Sequence, residues 1–364
     1  MQIEDCASVV VRLCNDILLN ENTVELPKLG VQDWEEVLHF AYSQGVLPVV
    51  VQALESLKAD GNPELNLLKV KWCGVSLQGQ QGYHQRVEVM RRLAKLFESE
   101  GIDILFMKGA SLAQLYPKPE WRVFSDIDYY LFGESERGIA LMDRHGIKND
   151  DYYHHHTQAS YCGVLIENHY DFVERVNHKC DVILDDALKE LALREGQSYK
   201  ADFLGEDVKN AYLMTPTMNA IFLMRHMSAH FASETVTLRM LYDWALFLKK
   251  QGSAVDWERV SELYKQSGMM RFAGVVQGIL GSHLGFESER CPVAKVKQNE
   301  VEKVWHSVLC PPTQDPYDKF TFKYYLFETR TFMANSWKRK LVYPGESSML
   351  LFLKYASHGI KRML

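Results

Sequence analysis

The hydrophobic positions of this chain follow two different periods, and the changes between them divide it into three stretches. In residues 1–100 apolar side chains recur every three to four positions, which predicts amphipathic helices. Between residues 101 and 182 the apolar residues fall in short runs, such as 102–107, which are typical of buried strands. From residue 183 the helical period returns. The pattern predicts an α+β protein with a small sheet domain at 101–182, between helical regions at 1–100 and 183–364.

Capping residues and glycines set the ends of the predicted helices. Asp33 is expected to cap a helix that Gly45 ends, and Thr215 followed by Pro216 is a typical helix start. The predicted helices cover residues 6–19, 34–44, 46–57, 64–99, 134–145, 181–193, 215–231, 238–250, 256–267, 272–284 and 349–364. Residues 157–173 are expected to form one or two strands with a turn at Gly163. The stretch 288–318 contains four prolines and is predicted to be a surface excursion.

The segment 101–131 combines a buried run, a glycine turn and a pair of carboxylates. Lys108 and Gly109 follow the first apolar run, at the start of a short helix whose backbone N–H groups can bind phosphate. The next apolar run carries Asp126 and Asp128, and their i, i+2 spacing puts both side chains on one face of a strand. Like charges this close repel unless a cation lies between them. The segment therefore predicts a site for a nucleoside triphosphate and a divalent metal ion.

The order of residues in this segment resembles the catalytic core of the DNA polymerase β-type nucleotidyltransferase superfamily, and most of all its uncharacterised bacterial branch. The matching residues are Lys108, Gly109, Tyr116, Arg122, Asp126 and Asp128. Residues 224–248 also resemble the C-terminal half of that branch. The resemblance implies a polymerase β-like core, a small mixed sheet with helices. It further implies an enzyme that transfers a nucleoside monophosphate from an NTP to an acceptor hydroxyl, with Mg²⁺ or Mn²⁺ and release of pyrophosphate.

The same resemblance implies the catalytic and metal-binding carboxylates. Asp126 and Asp128 would hold the metal together with a third acid from a neighbouring strand. We expect Glu167 to be that acid, because Glu167-Asn168-His169 resembles the end of the corresponding strand in the branch. Asp171 is the alternative, since it falls on the same face of a strand.

Five residues are expected to contact the triphosphate, by the same resemblance. They are Lys108, Gly109, Ala110, Ser111 and Arg122. Ala110 stands where the superfamily more often has serine. The alternative for Arg122 is a pairing with one of the two aspartates that orients it.

Two groups of histidines are not predicted to be metal sites. His154, His155 and His156 are adjacent, and neighbours on a strand point to opposite faces, so they are not expected to reach one Zn²⁺ together. His226 and His230 have the i, i+4 spacing of a helical zinc site, but no cysteine or carboxylate lies at a fitting offset. We expect these two to line the cleft or to be buried in the core.

Composition and charge narrow the function classes further. The chain has 364 residues, of which 47% are hydrophobic and 24% charged, and a net charge of −6, which argues against a general nucleic-acid binder. Residues 319–364 carry nine Lys or Arg against two Glu, and this basic tail could meet an anionic acceptor, a membrane surface or, as we favour, the acidic remainder of the protein.

The cysteines and the hydropathy of the chain lead to an expectation for its cellular compartment. The seven cysteines contain no CxxC pair, which favours buried free thiols in a reducing cytoplasm. Glu4 and Asp5 stand where a signal peptide would carry positive charge, and no apolar run reaches the length of a membrane span.

The acceptor is open at this stage: a small molecule, a protein or RNA. Two alternatives to the enzyme are a non-catalytic nucleotide- or partner-binding protein that retains the fold, and a helical scaffold with an accidental acidic strand.

Overall fold

A single mixed sheet lies at the centre of the computed structural model, which describes residues 1–20, 28–54, 62–152, 155–176, 178–310 and 321–347. Its strands are β1 (Ile104–Met107), β2 (Asp126–Tyr130), β3 (Asn149–Tyr152), β4 (His156–Tyr161), β5 (Val164–His169) and β6 (Ala211–Leu213). The strand order is β3-β4-β5-β2-β1-β6. The pairs β2–β5 and β1–β6 are parallel and the other three are antiparallel. The predicted α+β class with a small mixed sheet is confirmed.

Helices from the N-terminal and C-terminal parts of the chain surround the sheet. They are α1 (Ile3–Cys14), α2 (Val31–Ser43), α3 (Leu47–Leu54), α4 (Pro63–Glu98), α5 (Gly109–Ala113), α6 (Ser135–Arg144), α7 (Lys179–Glu195), α8 (Pro216–Ser233), α9 (Leu238–Gln251), α10 (Trp257–Gln266), α11 (Met270–Leu284), α12 (Gln298–Leu309), α13 (Phe322–Ala334) and α14 (Ser336–Val342). A π-helical turn, Asn15–Asn20, extends α1. As predicted, Thr215 caps α8: its hydroxyl accepts a hydrogen bond from the backbone N–H of Met218.

Two hydrophobic clusters hold these elements together. One packs the end of α4 against the sheet, with Phe97, Phe106 and Tyr129 fully buried. The other joins the N-terminal helices to the C-terminal ones, and Trp34 and Trp244 are both buried in it. Helices from the two ends of the chain therefore share one core. The first half of α4 joins that core through Leu68 and Trp72, and its second half packs on the sheet. The predicted domain boundaries at residues 100 and 182 remain a prediction.

The turn between β4 and β5 follows from two residues with positive φ. Cys162 has φ of +51° and Gly163 has φ of +75°. Two consecutive positive φ angles are the conformation of the tight hairpin turn whose twist matches the flanking strands. The predicted turn at Gly163 is therefore observed, and it fixes the register of β5 against β4.

Some predicted elements are wrong. Asp33 does not cap the second helix, because α2 begins at Val31 and Gly30 is its N-cap residue. The stretch 288–318 is not entirely a surface excursion, since α12 lies within it and buries Val301, Val304 and Val308. The i, i+3, i+7 spacing of these apolar residues outweighs the neighbouring prolines, which lie outside the helix. The predicted helix 349–364 falls outside the described residues.

The thiols and the basic tail also differ in part from expectation. All seven cysteines are free, but Cys162 and Cys310 are exposed rather than buried. In the described part of the basic tail, Lys338 and Arg339 are buried and donate to the backbone carbonyls of Glu234 and Phe332. Within the described ranges, no helix combines the length and the apolar character needed to cross a membrane.

Candidate active site

Strand register brings the predicted carboxylates together. Asp128 on β2 lies directly opposite Glu167 on β5, in a parallel pair. On the other side of β2, Asp128 lies opposite Met107, the last residue of β1. Lys108 comes directly after that residue, and its Nζ lies 2.9 Å from Asp128 Oδ1. Three groups far apart in sequence thus meet on the central strands of the sheet.

His169 completes this cluster at the end of β5. Its Nε2 donates to Asp128 Oδ1 over 3.0 Å and lies 3.6 Å from Glu167 Oε2. Gln158 on β4 donates to the other carboxylate oxygen, Glu167 Oε1, at 2.7 Å. Ligand atoms of Asp128, Glu167 and His169 lie within 4.8 Å of one another. We call these three residues the acid group.

Neighbouring charges keep the acid group ionised although it is buried. Burial by itself would raise the pKa of Asp128, but the Lys108 charge and the His169 hydrogen bond outweigh it and hold that pKa well below its usual range. Burial also opposes ionisation of Glu167, and the hydrogen bond from His169 again leaves its pKa lowered. Burial disfavours charge on His169 and Lys108, yet their carboxylate partners raise both pKa values. The cluster is therefore two carboxylates held by two cations.

Asp126 lies at the start of β2, partly buried and outside the acid group. Burial and the nearby Asp128 charge raise the pKa of Asp126. Its spacing from Asp128 nevertheless places it on the same face of the strand, as predicted. Asp171, the alternative third acid, pairs with Lys189 instead. Of the two candidates, Glu167 is the one that the structure brings to Asp128.

The predicted phosphate-binding turn is a strained backbone segment. Lys108 has φ of +46° and Gly109 has φ of +34°. A Cβ built on Gly109 would meet the Phe124 ring at 3.0 Å. Ala110 and Ser111 are buried within the short helix α5 that follows. Positive φ at a non-glycine residue such as Lys108 costs free energy and is typical of functional turns.

We expect Gly109→Ala to destabilise the protein by roughly 1–3 kcal/mol, the cost of holding a non-glycine residue in a sparsely populated backbone conformation. Contact with Phe124 adds to that cost. Gly74→Ala is the matched control: Gly74 lies within α4 and a Cβ there meets nothing within 4 Å. That substitution is expected to stabilise the helix by roughly 0.5–1 kcal/mol. Thermal unfolding of both variants checks the opposite signs, and equal midpoints would contradict the strain at the turn.

Arg122 lies in a buried ion pair that the sequence analysis did not foresee. Its Nε and Nη2 donate to the two carboxylate oxygens of Asp243 on α9, at 2.7 and 2.8 Å. Its Nη1 donates to the backbone carbonyl of Gly109 at 3.0 Å, and the Tyr116 hydroxyl donates to Asp243 at 2.9 Å. The predicted contact of Arg122 with the triphosphate stays a prediction, and the alternative partner is Asp243 rather than Asp126 or Asp128.

A cavity of about 750 Å³ opens beside the acid group. Aromatic side chains form part of its wall. They come from the loop after β5, from α8, from α13 and from the end of α14, and they are Phe172, Phe222, Tyr324, Phe332 and Tyr343. Lys108, His155 and His169 border the same cavity. This volume is within the range of small-molecule sites, roughly 300–1,000 Å³. The cavity therefore offers room for a substrate next to the clustered charges.

Of the two α8 histidines, His226 borders the cavity, which is one of the two predictions made for the pair. His226 lines the cavity, and its ring lies 4.5 Å from that of His230. Burial and the nearby Lys108 charge hold the pKa of His226 well below its usual value, so the ring is neutral. His154 lies outside the described residues.

His155 and His156 do not follow the expected alternation. His155 precedes β4 and only His156 lies on the strand, so the two rings are not forced to opposite faces. Their centroids lie 5.3 and 5.0 Å from that of His169. The prediction that adjacent histidines point apart is therefore wrong for this pair.

Comparison with known proteins places the chain in a class. A family model described as uncharacterised nucleotidyltransferase matches residues 30–283, which covers the sheet, the acid group and the helices α2–α11 apart from the end of α11. The protein is thus of the nucleotidyltransferase class. Specifically, the chain belongs to the uncharacterised nucleotidyltransferase family, as the resemblance implied. No curated protein and no solved structure matches it.

Proposed function

We propose that this chain transfers a nucleoside monophosphate from an NTP to a hydroxyl group of an acceptor and releases pyrophosphate. In this reaction the acceptor oxygen forms a bond to the α-phosphorus. The bond from that phosphorus to the pyrophosphate oxygen breaks, and the hydroxyl proton leaves to a base. The observation that supports the proposal is the meeting of Lys108, Asp128 and Glu167 on the central strands of the sheet, in a member of a nucleotidyltransferase family.

The donor set of this site fits a hard divalent cation. Asp128 and Glu167 supply ionised carboxylates within 4.8 Å of each other, and Asp126 adds another on the same face of β2. Carboxylate oxygens are the ligands that Mg²⁺ and Mn²⁺ prefer. Asp126, Asp128 and Glu167 would therefore hold the cation, which when bound would neutralise triphosphate charge and favour ionisation of the acceptor hydroxyl.

The chain's own groups would supply positioning and proton transfer. Lys108 provides a fixed positive charge beside the carboxylates, suited to the developing charge on pyrophosphate. Glu167 is ionised, so its carboxylate can accept the hydroxyl proton. His169 and Gln158 orient these carboxylates by their hydrogen bonds.

The neighbouring cavity is the proposed place for the acceptor or the nucleoside. Its aromatic wall offers stacking surfaces, which suit a planar ring of either substrate. Lys108 and His169 border the cavity, which places it next to the proposed site of reaction. A cytoplasmic small molecule, a protein side chain or RNA remain the acceptor classes of this proposal.

The position of Glu167 separates this proposal from a non-catalytic binder. A protein that merely retains the fold does not need a third acid beside the paired aspartates. Glu167 lies opposite Asp128 and shares His169 with it. This arrangement favours catalysis over binding alone.

We expect a rise in melting midpoint when an NTP is added with Mg²⁺ or Mn²⁺, and no rise with EDTA. A ligand that binds only the folded chain stabilises it by about 2.7 kcal/mol at one hundred times its Kd. A thermal-shift panel of the four NTPs, each with Mg²⁺, with Mn²⁺ and with EDTA, makes the measurement. The responding nucleotide is then the substrate for an acceptor screen. A folded protein that shows no shift with any NTP would contradict the proposed site.

A further inference from the structure

Strand pairing places three histidines side by side next to the acid group. His156 on β4 lies directly opposite His169 on β5, so their side chains share one face of the sheet. The preceding residue, His155, is held by its backbone carbonyl, which accepts from the N–H groups of Tyr170 and Asp171 at 3.1 and 3.2 Å. Backbone hydrogen bonds thus fix the positions from which the three imidazole side chains extend.

The three imidazoles have the spacing of a metal site. One nitrogen from each of His155, His156 and His169 lies within 4.8 Å of the others. Nitrogens that share a tetrahedral Zn²⁺ at about 2.0–2.1 Å lie about 3.3 Å apart, so the remaining gap is small. His156 and His169 are buried, at 7% and 2% exposure. The rings are therefore already gathered and largely shielded from solvent.

The surroundings of the rings also fit metal binding. A metal-ligating histidine usually gives its other ring nitrogen to a carboxylate or a carbonyl, which fixes the ring. Nε2 of His169 has such a partner in Asp128 Oδ1 at 3.0 Å, and metal binding through Nδ1 would displace the proton that this atom shares with the Asp171 carbonyl at 3.3 Å. Nδ1 of His155 is buried and has no hydrogen-bond partner among the described residues. A buried polar atom of this kind is costly unless a ligand satisfies it.

We propose that His155, His156 and His169 bind a divalent transition-metal ion of the imidazole-preferring kind, such as Zn²⁺ or Co²⁺. The ion differs in kind from the Mg²⁺ or Mn²⁺ proposed for the carboxylates, because imidazole nitrogen suits borderline ions whereas carboxylate oxygen suits hard ones. The two sites adjoin, since His169 also hydrogen-bonds Asp128. Three protein ligands leave a further position open to water or substrate. His155 and His169 border the cavity, so the ion is accessible to a molecule bound there. The inference does not depend on the proposed transfer reaction.

The first test uses the wild-type full chain. After removal of metal with a chelator, the protein is titrated with Zn²⁺ against a chromophoric chelator, and we expect one Zn²⁺ per chain. X-ray absorption of the zinc-loaded protein then reports the ligands directly, and we expect a spectrum with three imidazoles. No zinc binding, or a spectrum with oxygen ligands alone, would overturn the proposal without reference to any variant.

The second test locates the site. His155→Ala combined with His156→Ala removes two ligands, and Zn²⁺ affinity should fall by more than the roughly 10- to 100-fold that loss of a supporting partner costs. His226→Ala is the matched control, since His226 lines the same cavity but lies outside the group. Its Zn²⁺ affinity should equal that of wild type. An unchanged affinity in the double variant, or an equal loss in the control, would overturn the assignment. The nucleotide-dependent shift with Mg²⁺ is measured in parallel, which separates failure of this site from failure of the carboxylate site.

Discussion

Asp128→Asn is expected to abolish the Mg²⁺-dependent rise in melting midpoint that an NTP produces, while the free protein stays folded. Asparagine has the size of aspartate, and its side-chain oxygen can still accept from Lys108 and His169. It lacks the charge that a hard cation requires. Any transferase activity should fall by roughly 10²–10³-fold or more, the usual effect of removing one preorganised electrostatic group. Thermal shift with and without Mg²⁺ is the first measurement, and it needs no knowledge of the acceptor.

A matched control separates the effect of losing the charge at Asp128 from the effect of a change in net charge elsewhere. Glu136→Gln removes one negative charge from the exposed face of α6, away from the acid group. Its nucleotide response should match that of wild type. The site assignment fails if Asp128→Asn responds to NTP and Mg²⁺ as strongly as this control does.

Short-range periodicity explains why Asp126, Asp128 and Glu167 could be singled out from the sequence. The i, i+2 spacing of Asp126 and Asp128 has only one consequence on a strand, which is a shared face. The turn at Gly163 then sets where β5 begins. Both features depend on residues within a few positions of each other, whereas the pairing of β5 with β2, which puts Glu167 opposite Asp128, is a long-range contact. The choice of Glu167 over Asp171 rested on resemblance as well, and the register places Glu167 at the predicted position.

Long-range pairing explains what could not be predicted. Arg122 and Asp243 are 121 residues apart, and no local pattern connects the loop before β2 with α9. The gathering of His155 and His156 beside His169 depends on where β4 begins, and a strand boundary is the least certain part of any pattern. The burial of Trp34 and Trp244 in one core could likewise not be predicted. Periodicity shows that a helix has a buried face, but not which other helix covers that face.

Breaking the pair between Arg122 and Asp243 is expected to have the largest effect on stability. Both side chains are nearly buried, at 6% and 7% exposure, and the guanidinium meets the carboxylate through two parallel hydrogen bonds. Removing one partner leaves an uncompensated buried charge, which costs about 3–5 kcal/mol. Arg122→Ala should therefore lower the melting midpoint by about 4–7 °C. The loss of the bond to the Gly109 carbonyl would loosen the turn at the same time.

Two comparisons decide between this structural role and the phosphate contact predicted for Arg122. Arg144→Ala breaks an exposed pair with Glu100, and its midpoint should stay near that of wild type because exposed pairs contribute little. Combining Arg122→Met with Asp243→Leu removes both buried charges, and it should recover part of the stability that either single change loses, since apolar residues of similar volume often replace a buried ion pair without loss. A structural role predicts this recovery. If Arg122→Ala instead keeps the wild-type midpoint and weakens only the response to NTP and Mg²⁺, then Arg122 acts on the triphosphate, and the pair with Asp243 merely positions it there.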